Sequence, residues 1–237
     1  MWSGPRNIST AMMRAFENRP DCAVVDEPFY AAYLAATGLE HPMRDEVLAS
    51  QPQDWRLVAK GLVEGEPAPV FYQKHMTHHM APDFGLGWMA VCRNGFLIRD
   101  PTAVLASYVK ARAEVTLADI GVVRQHELFE READRLGAAP PVVEGADVLA
   151  DPRGVLSGLC AALGVPFRDE MLSWPAGPRA SDGVWSPAWY AAVERSTGFA
   201  PLERAPTEPL SDPLRRIADQ ARPHYEALAA YKIELTQ

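Results

Sequence analysis

Ser3-Gly4-Pro5-Arg6-Asn7-Ile8-Ser9-Thr10 runs directly into Ala11-Met12-Met13-Arg14-Ala15-Phe16, whose apolar spacing predicts a helix. A turn of small residues, one cation and two hydroxyls at a helix mouth suits an anion. Unpaired backbone N–H groups and the positive end of the helix dipole both point at it. A nucleotide-hydrolysing P-loop reads GxxxxGK[ST], with its lysine directly before the hydroxyl residue. Here Ile8 holds that place, and the cation, Arg6, comes earlier. The segment predicts a cradle for a phosphate-like group other than the γ-phosphate of ATP.

Beyond this helix, which is expected to end near Asn18-Arg19-Pro20, strands and helices alternate. Strand segments are Cys22 to Val25, Val70 to Lys74, Gly95 to Arg99 and Pro141 to Glu144. Helices broken by Gly38 and Pro42 fill residues 28–62, and another runs from Thr102 to about Ala113 behind the cap Asp100-Pro101. Residues 122–136, Val155 to Leu163 and about Pro213 to Tyr231 complete the helices. The alternation predicts an α/β fold, a mainly parallel sheet covered on both faces in three α/β/α layers. Ligands of such sheets bind beyond the carboxyl ends of the strands. Glu27, Lys74 and Arg99 all fall at such ends.

With 237 residues, 48% of them apolar, the chain is expected to form one domain over residues 1–237. A net charge of −8 argues against a nucleic-acid partner, which needs a broad basic surface. Cys22, Cys92 and Cys160 are too widely spaced for a zinc pattern or a disulfide framework, so a reducing, cytoplasmic setting is expected. No basic-then-apolar leader and no apolar run near ~18 residues is present, so neither export nor a membrane span is expected. Oligomeric state is not legible.

Four segments in order resemble the sulfotransferase family, which moves a sulfuryl group from 3′-phosphoadenosine 5′-phosphosulfate (PAPS). GPRNISTAMMRAF is similar to the family's 5′-phosphosulfate loop. Phe96-Leu97-Ile98-Arg99-Asp100-Pro101 with Ser107-Tyr108 resembles its 3′-phosphate segment. VVEGADVLADPRGVLSGLCAALGVPF, Val142 to Phe167, looks like its strand, Asp-Pro turn and helix. Arg179 with Asp182-Gly183-Val184-Trp185 is similar to the late loop that closes over the nucleotide. The resemblance implies a P-loop-like fold and PAPS as cosubstrate. Arg6, Asn7, Ser9 and Thr10 would hold the 5′-phosphosulfate, Arg99 and Ser107 the 3′-phosphate, and Arg179, Gly183 and Trp185 the nucleotide, with the Trp185 ring on adenine. It also implies Glu27 as the general base, and Lys74 as support for the departing oxygen.

The chemistry supports such residue types independently. Sulfuryl transfer needs positioned donors for a leaving phosphate and a base for the acceptor's proton. Arg6, two hydroxyls and a helix N-terminus supply the donors, and no pair of magnesium carboxylates is evident, so no metal is expected. Arg99 ahead of a capped helix suits a second phosphate at that helix mouth. Alternatives stay open for the base: Glu27, Asp26 beside it, or a histidine of Lys74-His75-Met76-Thr77-His78-His79. The same histidines at i, i+3, i+4 are a weak metal pattern. The acceptor is expected to be a small molecule with a hydroxyl or amine, its pocket walls drawn from residues 28–62 and 114–136.

Three features depart from the family's pattern. Ile8 stands where the loop has glycine, and a β-branched residue resists φ > 0, so either the loop needs no left-handed residue there or the anion sits differently. Only Met1-Trp2 precede Ser3, which predicts a truncated or vestigial first strand. Ser186 replaces a lysine of the late loop. The rival readings are a P-loop small-metabolite kinase and a degenerate sulfotransferase fold that only binds.

Overall fold

In the computed structural model, residues 1–64, 67–109, 115–200 and 209–234 are described. Five strands, β1 (Trp2–Ser3), β2 (Cys22–Asp26), β3 (Val70–Met76), β4 (Phe96–Ile98) and β5 (Val142–Glu144), pair in the order β2-β3-β1-β4-β5. Every pairing is parallel. The connections carry α1 (Ser9–Glu17), α2 (Tyr30–Thr37), α3 (Arg44–Ser50), α4 (Trp55–Val63), α5 (Pro101–Tyr108), α6 (Leu117–Ile120) and α7 (Val122–Leu136). After β5 come α8 (Gly145–Ala150), α9 (Pro152–Ala162), α10 (Ser186–Trp189), α11 (Ala191–Glu194) and α12 (Asp212–Ala229). The helix expected to reach Ala113 ends at Tyr108, and residues 110–114 lie outside the described ones.

The period-two alternation of strand side chains sorts the layers. Trp2, Phe96, Ile98 and Val142 face one side, packed with Val58 and Leu62 of α4 and Leu128 and Phe129 of α7. Tyr72, Leu97 and Val143 face the other, against Met12, Met13 and Phe16 of α1 and Val155, Leu156 and Leu159 of α9. This is the expected three-layer arrangement. No helix among the described residues is long and apolar enough to cross a membrane.

The first strand is short, as expected, yet it lies at the sheet's centre. Trp2 registers with His75 and Phe96, and Ser3 with Met76 and Leu97. The Met1 carbonyl accepts from the His75 amide (2.9 Å), and the Trp2 amide donates to the Gly95 carbonyl (2.8 Å). Trp2 is 1% exposed, its ring stacked 4.5 Å from His75 and its indole N–H donated to Asn94 Oδ1 at 2.9 Å. Burying one such ring contributes about 4–6 kcal/mol at ~25 cal/mol per Å2. A two-residue strand therefore holds the loop that follows it by side-chain burial as well as by its ladder.

Candidate active site

The chain leaves β1, β2, β3 and β4 at one edge of the sheet, and a cavity of ≈ 440 Å3 opens there. Arg6, Ser9 and Thr10 line it from the β1 side, Glu27, Lys74, His78 and His79 from β2 and β3, and Arg99 and Ser107 from β4 and α5.

The loop after β1 does need a left-handed residue, and that residue is Arg6 (φ 56) rather than Ile8, which sits at φ −81 and ψ 25. The objection raised by Ile8 is thereby removed. Ile8 is the residue before α1, which has no side-chain cap and no acidic residue in its first turn. The positive end of that helix lacks a built-in anion, and Ser9, Thr10 and Ala11 face the cavity. Asn7 also lines the cavity, with its side chain partly engaged by the loop and β4. Its Nδ2 donates to the Leu97 carbonyl (3.2 Å) and its Oδ1 accepts from the Ile8 amide (2.9 Å). A side chain at Gly145 would come within 2.6 Å of that Oδ1. Asn7 fastens the loop to β4.

Arg6 and Arg99 meet on the β4 side. Arg99 donates to the Arg6 carbonyl, and Arg6 Nε donates to Ser107 Oγ at 3.1 Å. Burial and the charge of Arg6 push the Arg99 guanidinium below its ordinary value. Among the described residues neither arginine has a carboxylate at ion-pair distance. Asp100, which follows Arg99 in the chain, accepts instead from Arg222 at 2.6 Å. Asp100 also caps α5, accepting from the amides of Thr102 (2.8 Å) and Ala103 (3.3 Å). The expected second anion site at that helix mouth is thus filled by the protein's own carboxylate. The cation pair and Ser107 form the alternative.

Across the cavity the backbone turns at Glu27, the second left-handed non-glycine residue at the site (φ 40). Such positions store about 1–3 kcal/mol of strain each and cluster where function constrains the chain. The Glu27 amide donates to the Lys74 carbonyl (3.0 Å), and Gln51 Nε2 donates to the Glu27 carbonyl (3.2 Å). Lys74, 1% exposed, donates to Asp26 Oδ1 (2.8 Å), Glu27 Oε1 (2.7 Å) and the Tyr190 hydroxyl (2.6 Å). An ammonium has three N–H groups, so none remains for a departing oxygen. The role expected for Lys74 is corrected to that of a tether. Among the described residues Lys74 bonds Glu27 Oε1 and no hydrogen bond reaches Oε2, which lies 3.8 Å from His79 Nδ1. Burial pushes the Glu27 carboxyl up, against the opposing pull of Lys74. His79, stacked on Tyr30 (4.3 Å) and Tyr33 (5.0 Å), is driven well below its ordinary pKa by burial and stays neutral.

The histidines part company. His78 and His79 form a 3-10 turn with Thr77 at the cavity, while His75 points to the opposite side, stacked on Trp2 and bonded to Gln73 Oε1 at 3.1 Å. His75 is removed as a base. No group of three metal-ligating side chains occurs among the described residues.

The late loop is also rearranged. Trp185 is 1% exposed, packed with Tyr30, Tyr33 and Leu34, and has no open face for an adenine ring. The Gly183 amide donates to Asp26 Oδ2 (3.2 Å) behind the cavity, and Arg179 reaches the Pro175 carbonyl (3.4 Å). None of the three lines the cavity. Trp189, Tyr190, Val193, Ser196 and Phe199 line it instead. The aromatic richness of residues 185–199 was the sequence signal, but it does not say which rings turn inward.

The family model described as Sulfotransferase domain matches residues 1–232. The chain belongs to the sulfotransferase-domain family. Two Arabidopsis thaliana relatives, the branched-chain-amino-acid aminotransferase-like proteins 1 and 2, are 35% and 32% identical to this sulfotransferase domain over 97% of its length. The chain spans 41% of each. Solved structures with a similar fold include the sulfotransferase domain from the curacin biosynthetic pathway, with TM-score 0.55, 17% identity and coverage of 98% of this chain and 97% of that one. The sulfotransferase domain from the Synechococcus PCC 7002 olefin synthase has TM-score 0.54 and 17% identity, with 92% of both chains covered. At such identities the likeness concerns the fold. Sulfuryl transfer is the chemistry to which the family and its fold point.

Proposed function

We propose that this domain transfers the sulfuryl group of PAPS to a small acceptor bearing a hydroxyl or amine. The observation that supports it best is that one cavity holds two arginines, with no acidic ion-pair partner among the described residues, opposite a buried carboxylate whose Oε2 accepts no hydrogen bond from them. In this reading Arg6, Ser9, Thr10 and the first turn of α1 hold the 5′-phosphosulfate. Arg99 and Ser107 hold the 3′-phosphate. Glu27 Oε2 takes the acceptor's proton as the acceptor forms its bond to sulfur and the bond from sulfur to the 5′-phosphate oxygen breaks. Charge growing on that oxygen is met by the loop's donors, already in place. Lys74 and Asp26 keep Glu27 in position, and the raised carboxyl suits a base working near neutral pH.

Calorimetry with 3′-phosphoadenosine 5′-phosphate (PAP), beside ATP with magnesium, tests the reading. Magnesium-independent binding of PAP, weakened roughly 10- to 100-fold by Arg99→Ala, is the expected result, since a charge-assisted hydrogen bond contributes about 1.5–3 kcal/mol. Preference for ATP with magnesium would favour a small-metabolite kinase. PAP binding with no turnover across an acceptor panel would leave a binding protein.

A further inference from the structure

Tyr190 was not among the residues to which the sequence assigned chemistry, yet its hydroxyl makes as many hydrogen bonds as the Lys74 ammonium, three each. It donates to Asp26 Oδ2 at 2.6 Å and accepts from Lys74 Nζ at 2.6 Å and Trp185 Nε1 at 3.2 Å. One donor and two acceptor positions are all a phenol has, so the group is saturated. The residue is 4% exposed, and the Lys74 ammonium lies 5.0 Å from its ring centre.

We propose that Tyr190 is a positioning residue for the base: by holding Asp26 and Lys74 it leaves Glu27 Oε2 as the one carboxylate oxygen of the cluster open to the acceptor. Asp26 Oδ1 is taken by Lys74, and Asp26 Oδ2 by Tyr190 and the Gly183 amide. Glu27 Oε1 is taken by Lys74. Without the phenol, Lys74 has an unfilled N–H and Asp26 a weakly held oxygen. The ammonium is then free to turn toward either carboxylate, and Asp26 competes with Glu27 for the acceptor's proton. The stretch around Tyr190 is itself fastened at a second point. Asp182 pairs with the buried Arg14 of α1 at 2.7 Å, and Ser181 donates to Glu17 at 2.5 Å. The inference rests on Glu27 as the proton acceptor proposed above.

The test uses Tyr190→Phe in the full chain, with two readouts. The first is isotope-edited NMR titration of the side-chain carboxyls, with Glu27→Gln in parallel to assign the signal. The groups facing Glu27 are Asp26, Lys74, His79 and Tyr190. Loss of a donor to a charged partner is expected to move the coupled titration up by about one pH unit. The second readout is PAP affinity by calorimetry, expected to hold within about twofold because Tyr190 lies on the Glu27 side. In turnover, kcat is expected to fall about tenfold with little change in KM for PAPS. An unmoved titration, or lost PAP affinity with the titration unmoved, would overturn the inference and make Tyr190 a piece of cavity wall. Should Tyr190→Phe not fold, Trp185→Phe decides. It removes one donor to the phenol while keeping both bonds below it, so a smaller shift in the same direction supports the inference and no shift refutes it. The two proposals fail separately. A protein that does not bind PAP sinks the donor reading, whereas the titration judges Tyr190 without any ligand.

Discussion

Replacing Lys74 by methionine keeps the length of the side chain and removes the single cation between Asp26 and Glu27. Both side chains of the Lys74–Asp26 pair are 1% exposed, and Glu27 is 11% exposed, so solvent cannot compensate. Breaking a buried pair from one side costs about 3–5 kcal/mol, because an unpaired charge is left behind. For a chain of this size that corresponds to a fall in Tm of roughly 6–20 °C. The loss has a signed pH dependence. In Lys74→Met burial holds the Glu27 carboxyl above its unfolded pKa, now without the opposing pull of the ammonium, so the folded state suffers when that group is ionised and recovers as it protonates. The deficit is therefore full near pH 7.5 and shrinks as pH falls toward about 4.5. In the unmodified protein Lys74 is raised well above its ordinary value by Asp26 and Glu27 against the cost of burial. Its contribution is complete below the unfolded lysine pKa and lost only as pH rises through the higher folded one, so it is constant over this window. Urea unfolding at the two pH values measures both effects. A loss below about 1 kcal/mol, or one equal at both pH values, would refute the reading of a desolvated cluster. Adding Asp26→Asn to Lys74→Met should restore part of the stability.

Glu27→Gln is expected to lower kcat by roughly 10²- to 10⁴-fold with an acceptor found by screening, while PAP affinity measured by calorimetry is unchanged. With Glu27 intact, the acidic limb of the rate profile should lie above the ordinary carboxylate range, because burial raises that group. Arg6→Gly should be more stable than Arg6→Ala by about 1 kcal/mol in urea unfolding, since only glycine accepts φ 56 without strain. Both variants should weaken PAP binding alike.

Four of the five strands were legible because each is a short, mainly apolar run bounded by turn residues, and the helix 122–136 because its charged face alternates with Leu128 and Phe129. The gathering of the cations and hydroxyls about one cavity was legible too. Arg6, Ser9, Thr10, Arg99 and Ser107 belong to two segments whose local pattern, loop then helix, fixes where they point. The opposite side of the cavity was only half visible. Glu27 and Lys74 stood at strand ends, but their partner Tyr190 lies 116 residues from Lys74, and nothing local marks a tyrosine in an aromatic stretch as the one that turns inward. The same long-range packing misled the reading of the late loop, where Trp185 was expected at adenine and is instead a core ring with its N–H on Tyr190. The residue with φ > 0 escaped for a different reason. The glycine position of the family's loop drew attention to Ile8, while the chain places the turn two residues earlier.

Asn7 and Gly145 lie 138 positions apart in the chain, and the tie between them constrains how related sequences can diverge. A methyl group at 145 would press on the amide oxygen of Asn7 at 2.6 Å. Shortening residue 7 to make room would cut the loop's bond to Leu97. The two positions are therefore expected to change together or not at all, a covariation set by the fastening of the loop rather than by the ligand it holds.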